Sequence, residues 1–486
     1  MNQKIHLLVL PLQFPTGLAA GAGGEYNRLH LARNGRGQPV LRGTALAGVL
    51  RHAYCREMGL TSSDKSVAKF FGEALDGEAH GKPSAFRIND CILETGGSSS
   101  VERTHHLRNR HSKTVAEGGL FSMESCPPGT STTAYLWLTE NAEGNGSKEF
   151  LSRIVAIINS GICLGGQSAR GIGIMQLSSD AKLRTFNLSD IEEHVAMLDI
   201  DHQLRSSPNF TIHGASSLTG LVADRPVLQI ELQLRVPRGQ DILVGDGAGL
   251  ERDTEPQRVT GANGKKYWRI PGSTFRGLFR AWITKLAAKA GKVVADSYDR
   301  RMKFSSSNSP RTDELNGENL GRCFLPEGQR SLVAPVIECP IASLFGSLYQ
   351  SSRIHFSDAL VDADASGSKY SEQARMHVAV DRITGGAAES LLFNNSVLTY
   401  SEVDCSEPFL VKIRVDRPTL EEIDWIKKTI VALDIGILRV GSSKSSGRLE
   451  LHRSPTATGI FADVISSIQP HPNFMASHSK SAGVQS

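Results

Sequence analysis

No two cysteines in this sequence lie close together. The seven, at 55, 91, 126, 163, 323, 339 and 405, are scattered and odd in number. That excludes a CxxC zinc knuckle and a disulfide framework, and it predicts reduced thiols in a cytoplasmic protein. No apolar run is long enough to cross a bilayer, and the residues around Ile5-His-Leu-Leu-Val-Leu10 show neither a basic n-region nor a signal-cleavage pattern. No membrane partner is expected. Neither sign of charge dominates: 54 Lys and Arg face 50 Asp and Glu, a net +4. Bulk charge therefore does not by itself indicate nucleic-acid binding, although a local basic track is compatible with it. There is also no P-loop, metal-ligand cluster or nucleophile motif.

What the chain does have is size and repetition. Its 486 residues, 40% hydrophobic, suffice for two domains or more. Tyr267-Trp-Arg-Ile270 is strand-like and is broken by Pro271 and Gly272. Ser273 and Thr274 then offer a helix N-cap, and Phe275, Leu278 and Phe279 recur at helical spacing. Leu41-Arg-Gly-Thr-Ala-Leu-Ala-Gly-Val-Leu-Arg51 repeats the same Gly-Ser/Thr-x-x-x-Gly frame. Each frame reads either as an ordinary capped helix or as a phosphate cradle built on a positive helix start.

Other features recur in the same order. A β-type run opens each half, Ile5 to Leu12 and Val227 to Val236, followed by glycine-rich stretches at 17–24 and 245–249. Phe71-Gly72 and Phe345-Gly346 end helical segments. Strands ending in aspartate follow, Phe86 to Asp90 and Ile354 to Asp358. Arg103 to Phe121 then aligns without a gap on Arg375 to Phe393, 19 residues with seven identities. Gly161 to Gly173 and Gly436 to Arg448 close the halves with a glycine/serine-rich turn. A long-period duplication of this kind means two equivalent structural units.

The strand–helix–strand–strand–helix–strand order predicts an α+β protein of two tandem ferredoxin-like, split βαβ domains with loop insertions. The expected boundaries are 1–178 for the first domain, 179–225 for a connector with a short acidic helix near Asp190 to Met197, 226–464 for the second domain, and 465–486 for a flexible tail. Residues 291–335 read as a mobile polar insertion.

Ile270-Pro-Gly-Ser-Thr-Phe-Arg-Gly, Asp381-Arg-Ile-Thr-Gly-Gly-Ala and the closing glycine turns resemble the RAMP superfamily, and within it the Cas7-type backbone subunits of type III CRISPR effectors. A chain with two such units resembles the fused double-Cas7 subunit of type III-D-like complexes. The resemblance implies an RRM-like sheet with a protruding thumb hairpin. It implies crRNA and target RNA as ligands, and Cas7-, Cas5- and Cas10-type subunits as partners. It also implies target cleavage by an aspartate on the loop before the glycine–serine helix, acting with Mg²⁺ or another divalent cation. Asp253 fits that position best and would be the metal ligand; Asp246 competes because the loop is long. Asn27 stands at the corresponding place in the first half, which predicts a silent first half unless Glu25 compensates.

Guide binding needs amides and cations spaced for phosphates. Gly43, Thr44, Gly272 and Ser273 at the helix starts, with Arg42, Arg51, Arg276 and Arg280, suit that need. Arg170 and Lys444 lie in turns that read as anion nests or as plain tight connections. The thumb blocks place His105, Arg110, His377 and Arg382 near RNA; the histidines read as acid–base groups or as surface residues on a hairpin. Three functions follow: an RNA-guided, Mg²⁺-dependent endoribonuclease subunit, a binding-only backbone subunit, or a metal-independent RNase that processes guide RNA.

Overall fold

The computed structural model describes residues 4–25, 28–61, 64–73, 81, 83–108, 115–140, 146–166, 168–206, 212–218, 226–245, 254–292, 294, 339–346, 351–363, 370–381, 383–400, 408–441, 446–453, 455–458 and 462–467. The insertion expected at 291–335 and the tail at 465–486 lie almost wholly outside these residues.

Each half is built on a central strand. In the first, Lys4–Phe14 pairs antiparallel with Thr130–Glu140 along its whole length, Lys4 opposite Glu140 and Phe14 opposite Thr130. Phe86–Ile88 pairs with the far side of Thr130–Glu140. Ile174–Leu177 and Ala181–Asn187 pair with the other side of Lys4–Phe14. In the second half, Val227–Arg235 pairs with Phe409–Asp416, which pairs in turn with Ile354–Phe356; Glu450–Leu451 and Thr456–Thr458 flank Val227–Arg235. Helices Gly43–Met58 and Ser147–Asn159 in one half, and Gly272–Lys289 and Leu420–Asp434 in the other, complete the ferredoxin-like order twice.

The residue patterns explain both sheets. Leu228, Ile230, Leu232, Leu234 and Val236 are all buried at period two, so one face of that strand meets the helices. The first strand is apolar almost continuously because both of its faces are covered. Leu8, Leu10, Leu12 and Phe14 enter the main core, while Leu7 and Val9 pack with Tyr135, Trp137, Phe186, Ile200 and Leu204. The second set comes partly from 179–225. That stretch is more than a connector: Ala181–Asn187 and Ser216–Leu218 are strands of the first sheet, and Ile191–Ser206 is a helix on its outer face. The alternation of Ala181 and Leu183, both buried, carried that signal. Phe71 and Phe345 do end helices, with Gly72 and Gly346 as C-caps at positive φ.

A buried ion pair joins the halves. Arg103, on the Val101–Arg108 strand, places Nη1 2.6 Å from Asp358 Oδ2; their side chains are 4% and 0% exposed. Arg103 also donates to Ser125 Oγ and the Thr16 carbonyl. The Ser168–Arg170 turn runs into Gly171, which bridges to Ser357. Gly171 holds φ +115, and a Cβ there would stand 1.9 Å from Asp358 Oδ1. Elsewhere along the seam Ser160 O accepts from Gln229 Nε2 and Arg414 Nε, and Gly261 O accepts from Ser98 Oγ. His355 is buried there with Nδ1 3.4 Å from the Ser168 carbonyl, so Nδ1 carries the proton. Burial and the neighbouring Arg414 push its pKa down to about 4.

Arg103→Ala leaves Asp358 buried without a counter-charge and should cost about 3–5 kcal/mol in urea unfolding. The aligned Arg375→Ala, at an exposed pair, should cost less than about 1 kcal/mol. Equal losses for the two would refute the assignment of the seam to Arg103.

His355 adds a pH dependence. Between pH 6.5 and 4 the unfolded chain takes up a proton that the folded chain refuses, so unfolding free energy falls as pH falls through that window. The integrated loss is about 3 kcal/mol, from the roughly 1.4 kcal/mol carried by each pH unit. Comparing stability curves of the wild type and His355→Gln isolates this component from the carboxylates, and the wild-type curve should be the steeper one.

Candidate nucleic-acid interface

Both glycine helix starts are capped from a distance. Asp90 Oδ1 accepts from the Gly43 amide at 2.8 Å, and Asp358 Oδ1 accepts from the Gly272 amide at 2.8 Å. The N-cap residues are Arg42 and Pro271, neither of which makes a side-chain cap. Ser273 and Thr274, expected as the cap, lie inside the first turn. The strand-end aspartates do their work, and each leaves Oδ2 for an arginine. Asp90 takes Arg42 at 2.7 Å on the surface; Asp358 takes Arg103 in the interior.

The phosphate cradle expected at Gly272 is thus filled from within the chain. Gly272 is buried, and a Cβ there would meet the Cα of Gly171 at 2.6 Å. Arg276 turns inward, donating to Ser352 Oγ and to the Phe345 carbonyl beside the Phe345 ring. Arg280 is half-buried on the same helix, and Arg51 half-buried on the first. Arg170 sits in the turn packed against the start of the Gly272–Lys289 helix, so it faces the second half. Thr44 and Arg42 remain exposed, and Ser273 is half-buried. Lys444 lies outside the described residues.

The aligned 19-residue blocks form paired hairpins. Val101–Arg108 pairs with Val115–Ser125, and Tyr370–Val380 pairs with Ala387–Tyr400. Their registers agree: His105 stands opposite Phe121, and His377 opposite Phe393. The His105 ring stacks on Phe121 with centroids 5.2 Å apart, whereas His377 is exposed. Arg110 and Arg382 lie outside the described residues. Asp381 accepts from the amides of Ile383 and Thr384 at the second hairpin tip, which holds its carboxyl below the usual range.

One feature of the second hairpin escaped the sequence reading. Met376, Val378 and Val380 project from one face with 70%, 47% and 60% exposure, and Ile383 follows at 94%. The aligned residues of the first hairpin are Thr104, His106 and Arg108, which are polar. The signal was period-two apolar residues with no burying partner.

Asp246, Asp253 and Asn27 also lie outside the described residues, but the ends of the acid-bearing loop do not. Gly245 bridges to Pro256, Thr254 bridges in parallel to Asn395, and Ser396 N donates to the Thr254 carbonyl at 2.9 Å. Asn395 stands opposite Arg375, midway along the second hairpin. In the first half Leu29 pairs in parallel with Met123, the residue that aligns with Asn395. Thr254 therefore matches Leu29, and the residue matching Asp253 is Arg28 rather than Asn27. Glu25 pairs with Arg28 across the intervening turn. Among the described residues no group of three metal-ligating side chains gathers.

The model of the RAMP superfamily matches residues 12–176 and 241–450, most of the chain and one stretch in each half. The chain belongs to the RAMP superfamily. RAMP proteins are RNA-binding subunits of CRISPR complexes, and some are RNases. No curated protein matches the chain. Among the described residues no helix is long and apolar enough to cross a membrane.

In this RAMP chain the inward Arg276 is expected to support the fold and not the ligand. Arg276→Met should lower stability, since it strips partners from Ser352 and the Phe345 carbonyl. It should leave the slope of RNA affinity against salt unchanged. A slope reduced by about one would mean that Arg276 neutralises a phosphate.

Proposed function

We propose that the chain is a guide-RNA-binding subunit of a type III CRISPR effector, and that its second half cuts the paired target RNA. The observation that carries this reading is the anchoring of the 246–253 loop. Thr254, one residue beyond Asp253, bridges to Asn395, midway along the second hairpin. The residue that follows Asp253 in the chain is thus tied to the element that would enter the guide–target duplex. The exposed Met376, Val378 and Val380 suit contact with base faces, because an apolar wedge separates stacked bases at modest cost. His377 and Arg382 on the same hairpin suit the RNA backbone.

Asp253 and Asp246 are oxygen donors, which suits Mg²⁺ and not a soft metal. A bound divalent cation offsets charge developing on a scissile phosphate during in-line displacement. Neither Asn27 nor Arg28 supplies a carboxylate, so the first half grips RNA without cutting, unless Glu25 compensates. The type III-D-like arrangement, with Cas5-, Cas7- and Cas10-type partners along one crRNA, accommodates a double unit of this kind. Guide processing by histidine is less well supported: His105 is packed on Phe121, as a structural ring would be.

Asp253→Asn in the assembled complex should abolish cleavage at one position of the target RNA while guide and target stay bound, and EDTA should reproduce the loss. Asp246→Asn should retain most of the product. If both variants and the double variant cut as the wild type does, the chain is a binding-only backbone.

A further inference from the structure

The Ile191–Ser206 helix is apolar on two opposite sides, and among the described residues only one side is covered. Ile200 and Leu204 pack with Leu7, Val9, Tyr135 and Trp137 beneath it. Helical spacing puts Ile191, Val195 and Leu198 together on the other side, and they are 80%, 60% and 54% exposed. A helix that is apolar all round belongs in a buried setting. This one is held firmly in place: Asp201 takes Arg87 at 3.0 Å, and Glu193 lies 3.9 Å from Arg184. It also falls between the stretches 12–176 and 241–450 that match the RAMP superfamily, so the shared frame does not account for it.

The charges around the stripe select its occupant. Asp190, Glu192, Glu193, Asp199 and Asp201 gather along the helix and repel phosphates, which disfavours RNA. Glu192 and Asp199 flank the stripe on one side and His194 flanks it on the other, all three exposed. We propose that a second copy of this chain covers the stripe, the two helices running parallel about a two-fold axis. The His194 side of each helix then meets the Asp199 side of the other. Asp199 uses Oδ2 for Gln203 Nε2 on its own helix at 2.7 Å, which leaves Oδ1 to accept from His194 of the second copy. Flanking pairs of this kind set partner and orientation where helices pair along an apolar seam. An antiparallel pair would instead oppose acid to acid. The same patch serves on both chains, so the contact is isologous and closes at a dimer. Neither RNA nor Asp253 takes part in it, so it holds whether or not the chain cuts.

Sedimentation velocity of the full-length chain, free of RNA and over a range of concentrations, tests it. The wild type should show a dimer that grows with concentration. Val195→Asp should lack that dimer while keeping the wild-type near-UV circular dichroism and RNA affinity. His194→Glu should weaken the dimer roughly fivefold, because two exposed pairs are lost at once. Combining His194→Glu with Asp199→Lys should restore it. A wild type that forms no dimer gives the face to a different subunit and overturns the pairing, as does a dimer that persists in Val195→Asp. Loss of RNA affinity in Val195→Asp would assign the face to RNA, and a double variant that fails to recover would refute the parallel arrangement.

Discussion

A single carboxylate, Asp358, organises the join between the halves. One oxygen satisfies the first amide of the Gly272–Lys289 helix, and the other neutralises Arg103 from the preceding half. Neither role would suffice alone. A buried carboxylate with one amide partner is costly, and so is a buried guanidinium without an acid. Together they place two charges at a site that only glycine at 171 and 272 leaves room for. The register of one half against the other is thereby fixed by steric fit as well as by charge.

The duplication was legible because it was written in residues that the backbone demands. Glycines at helix starts and turns, aromatic residues before glycine, and the histidine–phenylalanine spacing of the hairpins all return at matching places. The strand-end aspartates were also visible, but not their purpose. Local rules look for a cap in the residue beside the helix, and here it comes from a strand 47 residues later in one half and 86 later in the other. The same limit hid the direction of Arg276. Helical spacing puts it on a face, and only tertiary packing shows that the face is turned inward. The strands at Ala181–Asn187 and Ser216–Leu218 were lost in a stretch whose polar composition resembles a linker. The Asn27 alignment slipped by one residue because loop length gives no register, whereas the parallel pairing to the hairpin does.

The two hairpins show what duplication leaves free to change. Their pairing is conserved between the halves down to the cross-strand partners, because pairing fixes which side chains share a face. The face itself has diverged, polar in the first and apolar in the second. Membership of the RAMP superfamily accounts for the shared frame. It does not account for the difference, which belongs to the surface each hairpin presents.

The seam also has a temporal side. The ribosome delivers Arg103 and Gly171 well before Asp358 appears, and domains fold as units from the N-terminal end. The first half is therefore in place as a template when the Gly272–Lys289 helix emerges, and the late carboxylate finds its cation waiting. A circular permutation that reversed the order of the halves would keep every contact of the finished molecule and lose that head start.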